Sequence, residues 1–134
     1  IMGKVSLLKE KHIEILYDAE KNIMYDHWIG FQTVDNVMDG CEKILKLFKE
    51  KRDCTNILND NSKVTGPWQG ATEWVSNVWF PKMIDAGLKN FAWVLSSNIF
   101  AELSAKNVSS EGDIIQHFND YNQAEKYLEQ KELA

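Results

Sequence analysis

The chain is poor in the residues that build catalytic and metal centres: two cysteines, three histidines, two prolines and seven glycines in 134 residues. His12, His27 and His117 lie in or beside expected strands, with no partner at i+4 and no CxxC-like pair. A metal site needs three or four convergent ligands, so none is expected. Cys41 falls on the apolar stripe of an expected helix and Cys54 opens an expected strand. Both read as small buried hydrophobes of a reducing, cytoplasmic compartment, with a bridge between them left open. Gly66 and Gly70 lack the spacing of phosphate-cradling loops, and no serine sits in a nucleophile elbow. The expectation is a protein that is not an enzyme and carries no cofactor.

Other absences narrow the partners. The net charge is −5 and the basic residues are scattered, which argues against a nucleic-acid surface. The densest basic group, Lys46, Lys49, Lys51 and Arg52, includes Glu50 and closes an expected helix, where it complements the dipole. No apolar run approaches the roughly 18 residues of a membrane span, and no targeting segment is visible. The opening Ile1-Met2-Gly3 reads as a processing remnant and is set aside. The sequon Asn107-Val108-Ser109 reads as chance in a chain without a secretory signal. Hydrophobic residues at 44% and charged residues at 26% are ordinary for one globular domain, expected to span residues 1–134.

Tryptophan is abundant, and four of the five fall between Trp68 and Trp93. Around them the chain divides into recognisable elements. Residues 5–8 form a short apolar run and a first strand. Ile13, Ile15 and Tyr17 alternate over residues 12–17, and residues 23–29 return after the polar turn at residues 18–22, as a hairpin. In the return strand Asp26 and His27 point to opposite faces. Thr33 is placed to cap a helix whose stripe is Val34, Val37, Met38, Cys41, Ile44, Leu45 and Phe48. Gly40 costs that helix about 1 kcal/mol relative to alanine and so marks close packing. Residues 54–58 read as a buried strand and residues 59–66 as a turn-rich loop. The tryptophan run then reads as a helix, with Ala71, Trp74, Val75, Val78 and Trp79 inward. It breaks at Pro81 and stops at Gly87, with Leu88 just beyond. Residues 91–95 form a strand, Ser96-Ser97-Asn98 caps a short helix carrying Ile99, Phe100 and Leu103, and residues 114–118 form the last strand. Asp120 opens a final helix with Tyr121, Ala124 and Leu128 on one face.

The order is β-β-β-α-β-α-β-α-β-α. Alternating strands and helices require parallel strands joined by crossovers. The expected fold is α/β: one mixed sheet with an N-terminal antiparallel hairpin followed by βαβαβα, about five to six strands and four helices.

This order resembles the STAS domain, the fold of bacterial anti-sigma-factor antagonists. More specifically, Trp28-Ile29-Gly30, Ile57-Leu58-Asn59-Asp60, the stretch from Glu73-Trp74 to Trp79-Phe80-Pro81-Lys82, and Gly87-Leu88-Lys89 look like a group of small bacterial STAS-like proteins. The resemblance implies a module that works by interaction rather than catalysis, with CRAL-TRIO lipid carriers as a more distant relation. It also implies a regulatory phosphoserine at a helix start, for which Ser62 in Asp60-Asn61-Ser62-Lys63 is the candidate, although the adjacent glycine is missing. Thr65-Gly66 is a second imperfect match.

Two functional readings follow. The first is a non-enzymatic regulatory or protein-interaction module, its partner another protein or a second copy of the chain in a homodimer. The second is a small-ligand or lipid-binding domain with an aromatic pocket. The candidate residues are Asp60, Asn61, Ser62, Trp68, Trp74, Trp79 and Phe80, with Met83 also lining the aromatic pocket. Trp74 and Trp79, five residues apart, stand about 140° apart on an α-helix and cannot both face one core. One of them, and half of Trp68, should reach the boundary. Ligands of such sheets sit beyond the carboxyl ends of parallel strands, where Ser97, Asn98 and Asp120 are read as helix caps.

Overall fold

A computed structural model describes residues 3–134; Ile1 and Met2 of the opening tripeptide lie outside the described residues. Six strands form one mixed sheet in sequence order: β1 (Lys4–Lys9), β2 (Ile13–Asp18), β3 (Ile23–Gly30), β4 (Asn56–Val64), β5 (Asn90–Val94) and β6 (Ile115–Phe118). The first two pairings are antiparallel and the last three parallel, the α/β arrangement expected from the element order. The hairpin turn between β2 and β3 is set locally. Asp18 Oδ1 accepts from the backbone N–H groups of Glu20 and Lys21 at 3.0 and 3.1 Å, and Asn22 takes a left-handed φ of 55°, which asparagine tolerates.

Four helical segments fill the connections. Helix α1 (Val34–Glu50) is capped by Thr33, whose hydroxyl accepts from Asn36 N–H at 3.0 Å. Helix α2 is composite: a 3-10 turn Gln69–Ala71, an α turn Thr72–Trp74, a π turn Val75–Trp79 and an α segment Phe80–Asp85. Helix α3 (Ile99–Lys106) starts at Asn98, whose side chain accepts from Phe100 and Ala101 N–H. Helix α4 (Tyr121–Leu133) starts at Asp120, which accepts from Gln123 N–H at 2.9 Å. The glycine stop after α2 also forms: Gly87 has φ +109°, Leu88 N–H donates to Met83 O at 3.0 Å, and Leu88 is buried.

Strand alternation divides the core in two. Ile15, Met24, Trp28, Ile57, Phe91 and Trp93 pack under α1, α2 and α3. Ile23, Tyr25, Leu58, Ala92 and Val94 pack under α4. Consecutive parallel strands joined by right-handed crossovers put every crossover helix on one face, which leaves α4 alone on the other. That helix contributes only Ala124 and Leu128 to the buried core, and a polar seam positions it. Glu125 accepts from Tyr25 and pairs with Lys4 at 3.1 Å, Tyr121 bonds His27 at 2.7 Å, and Glu132 accepts from Asn56 at 3.1 Å. Burial opposes ionisation of Glu125, but the Tyr25 hydrogen bond and Lys4 outweigh it and hold the carboxyl below its ordinary value.

Two boundaries differ from the sequence reading. Strand β4 runs on through residues read as a turn, because its polar side chains find tertiary partners. Helix α3 turns its large residues outward: Ile99, Phe100 and Leu103 are exposed, while Ala101, Ser104 and Ala105 face in. Small residues are needed there because the backbone approaches α2, with Trp68 N–H donating to Ser104 Oγ at 3.0 Å.

Gly40 marks close packing, as expected. A Cβ at that position would stand 2.5 and 2.7 Å from Cη2 and Cζ3 of Trp28, so α1 lies directly on the indole. Helix propensity alone favours Gly40→Ala by about 1 kcal/mol. The packing predicts a net loss of about 1–3 kcal/mol instead, read from the urea midpoint. A midpoint at or above wild type contradicts the contact.

Candidate functional site

Four tryptophans converge beneath α1 and α2. Trp68 stacks on Trp93 with centroids 5.9 Å apart and planes 17° from parallel. Trp93 meets Phe91 edge-on at 5.4 Å, Phe91 meets Phe80 at 4.9 Å, and Phe80 meets Trp79 at 5.0 Å. Such edge-to-face pairs add to plain area burial. Trp68, Trp79 and Phe80 are 6, 3 and 0% exposed, so the run is interior. The expectation that Trp68 is half exposed is therefore wrong: stacking on a residue 25 positions later draws it in. Of the pair five apart, Trp79 is buried and Trp74 is half-buried at the boundary, and Val78 is half-buried as well.

The π turn explains how Trp79 turns inward next to a proline. Phe80 N–H reaches back five residues to Val75 O, which widens the helix immediately before Pro81. A proline cannot donate and its ring crowds the carbonyl four residues back, here Asn77. Widening the turn relieves both, and π turns of this kind recur at functional sites. Trp79 Nε1–H then donates to Cys41 O of α1 at 2.7 Å, tying the two helices together.

Beneath this roof is a small cavity of about 30 Å³, walled by Trp28, Trp68, Trp79 and Trp93 and floored by Asn59 and Asn61 of β4. The asparagines are held in a directed chain. Trp28 Nε1–H donates to Asn59 Oδ1 at 2.9 Å, and Asn59 Nδ2 donates to Asn61 Oδ1 at 3.2 Å. Just beyond, the register passes from His27 opposite Asp60 to Ile29 opposite Lys63, so β4 carries a bulge at residues 61–62. A bulge reverses which residues face inward beyond it: Asn61 faces the cavity, yet Val64 faces the same core. Trp93 also lines the cavity, and its buried Nε1–H has no hydrogen-bond partner among the described residues.

Asp26 shares this side of the sheet. It is fully buried, pairs in register with Asn59, and neither carboxyl oxygen has a partner among the described residues. Burial pushes its pKa well above the ordinary value, so it is held as the neutral acid. The same burial raises the thiol of Cys41 well above its usual range and pushes Cys54 up to about 11. Both cysteines are free and neither is a ready nucleophile.

Asn61 meets Trp68 and Trp79 at the cavity, and the other candidates disperse. Asp60 and Asn61 are buried within β4, while Ser62 is exposed, its N–H turned onto Asp60 Oδ1 at 2.9 Å. Ser62 lies in a strand, seven residues before the first helical turn, rather than at the helix start that the family resemblance implies. Asn98 and Asp120 act as caps, whereas Ser97 is exposed. A polar groove of about 420 Å³ between α3 and the start of α4 includes Glu102, Lys106, His117 and Gln123. Burial, then Lys106, lowers the pKa of His117, and Lys106 is paired with Glu102 at 3.1 Å. Among the described residues, no group of three or more His, Cys, Asp and Glu side chains is placed to hold a metal, and no helix is long and apolar enough to cross a membrane.

The sequence reading missed the surface that stands out. Phe31, Ile99 and Phe100 are 58, 64 and 57% exposed, and Ile29, Val34 and Leu103 are also exposed. They surround the segment after β4. Phe31 lies over Gly66, where a Cβ would be 2.8 Å from its ring, and Val34 abuts Gly70 at 2.7 Å. Asn98 at the head of α3 donates to Thr65 O at 3.0 Å. The result is an apolar rim at the carboxyl end of the parallel strands.

Asp26 gives a pH dependence with a definite sign. The folded protein keeps this proton at pH values where the unfolded chain, titrating near 4, has lost it. Stability therefore falls as pH rises through that window. Asp26→Asn is expected to gain on the order of 1–3 kcal/mol at pH 8 and to converge with wild type near pH 4, read by thermal melts across pH. A variant no more stable than wild type at pH 8 contradicts this reading of Asp26. Compared with family models, with curated proteins and with solved structures, the chain matches none.

Proposed function

We propose that this domain is a non-enzymatic, STAS-like interaction module that binds a protein partner through the apolar rim at the carboxyl end of its parallel strands. The observation that carries the reading is the grouping of Phe31, Val34, Ile99, Phe100 and Leu103 on one exposed edge. Large apolar side chains scattered singly need no explanation, but a contiguous patch marks a contact surface, and buried aromatic anchors dominate binding energy at such surfaces. The STAS-like element order supports the same reading, since that fold works by contact rather than turnover.

A protein fits the rim better than an anionic bilayer. Asp35 follows Val34 and Glu73 follows closely on Gly70, Glu102 is neutralised by Lys106, and Lys63 stands opposite Ile29, so the border carries both signs. A membrane surface favours a basic border instead. A second copy of the chain is one such protein, and gel filtration with light scattering identifies that case.

The test uses tagged full chain as bait in lysate of its source cells, beside Phe31→Ser/Phe100→Ser. Both side chains are solvent-exposed, so the double variant should keep the wild-type melting temperature. The wild type is expected to retain a discrete partner, or to dimerise, and the variant to bind it at least about tenfold more weakly. A partner held equally by both proteins, or neither partner nor dimer for the wild type, overturns the proposal.

A further inference from the structure

The strand-to-helix connections do not all leave the sheet on the same side. After β3, β4 and β5 the chain enters α1, α2 and α3, which pack on the tryptophan face. After β6 it enters α4, which packs on the opposite face through Ala124 and Leu128. Adjacent parallel strands whose connections part in this way leave a crevice beyond their carboxyl ends, and open sheets bind ligands there. Among the described residues, β5 and β6 are the one parallel pair with this divergence. Their ends are joined by Leu95 N–H, which donates to Phe118 O at 2.9 Å. The polar groove of about 420 Å³ lies at that point, between α3 and the start of α4. Its volume falls within the range of about 300–1,000 Å³ typical of small-molecule sites.

The groove is rich in hydrogen-bonding groups and balanced in charge. Glu102 and Lys106 are the charged side chains that line it, and they pair with each other at 3.1 Å. His117 is neutral at pH 7, because burial, then Lys106, lowers its pKa. An ion entering the groove meets one repelling group and has to break the pair to use the other. Asn119 and Gln123 are exposed, one just past β6 and the other in the first turn of α4. Each amide both donates and accepts. Leu95 and Phe118 are the apolar members of the lining. We propose that this crevice binds a small, uncharged polyhydroxyl compound of the sugar class. Neighbouring sugar hydroxyls, which also donate and accept, would pair with the Asn119 and Gln123 amides and reach the Glu102–Lys106 pair. The C–H face of the ring would lie toward Leu95 and Phe118. For about a dozen non-hydrogen atoms at ordinary ligand efficiency, the dissociation constant is on the order of millimolar.

The test is a titration of ¹⁵N-labelled full chain, followed by its backbone and side-chain amide resonances. The probes are glucose, galactose, mannose and myo-inositol, with inorganic phosphate as the anion and glycine as the zwitterion. At least one of the four uncharged probes is expected to move signals of residues 102–106 and 117–123 saturably. Its affinity should not change with salt, since an uncharged ligand leaves nothing for salt to screen. Asn119→Ala and Gln123→Ala alter exposed side chains and should keep the fold. Each is expected to weaken that probe about three- to tenfold, the range for a lost neutral hydrogen bond. Phe31→Ser/Phe100→Ser, whose residues do not line the groove, should bind it as the wild type does, so the groove and the rim stand or fail separately. Four results overturn the proposal: no saturable shift with any of the four probes at on the order of 100 mM; saturable shifts centred on another part of the chain; tighter binding of phosphate or glycine; or an affinity that neither amide variant changes.

Discussion

The packing of α1 onto the Trp28 indole is the contact on which the upper layer of this domain depends. Gly40 has no side chain, so the helix lies against the ring, and the ring's N–H is thereby free to hold Asn59. Asn59 holds Asn61, and together they let β4 continue as a buried strand through Asn-Asp-Asn. A larger residue at position 40 would push α1 away, and Trp79, which donates to Cys41 O, would lose its anchor on that helix. The seating of Trp79 on α1 and the closure of the cavity therefore depend on one close approach, while the π turn answers to Pro81.

The same arrangement separates two roles that the sequence mixes. The tryptophans, the most unusual feature of the chain, are mostly interior and enclose a small cavity. The exposed apolar surface comes from less conspicuous residues on α3 and at the head of α1. Asp26 is buried opposite Asn59 as a neutral acid without partners among the described residues, a group that lowers stability at neutral pH.

Much of the fold was legible because its signals are local. The caps at Thr33, Asn98 and Asp120, the turn at Asp18 and the stop at Gly87 each depend on residues within a few positions, and each forms. Element order then gave the mixed sheet. What was not legible depends on distant partners. Residues 59–61 read as a turn because the indole that satisfies Asn59 lies 31 positions earlier. Trp68 read as half exposed because its stacking partner Trp93 is 25 positions later. The rim had a faint signal: Ala101, Ser104 and Ala105 share one helical stripe, and a stripe of small residues facing in forces Ile99, Phe100 and Leu103 out. Periodicity alone does not say which stripe faces the core.

The tryptophan run is interior and the exposed apolar surface lies elsewhere. Tryptophan emission with acrylamide quenching tests it most directly. Trp28, Trp68, Trp79 and Trp93 are at most 6% exposed and only Trp74 reaches the boundary. Blue-shifted emission is expected, largely protected from quencher, with a single accessible fraction that Trp74→Phe removes. Red-shifted emission quenched as readily as free indole, or quenching that Trp74→Phe leaves unchanged, would contradict it.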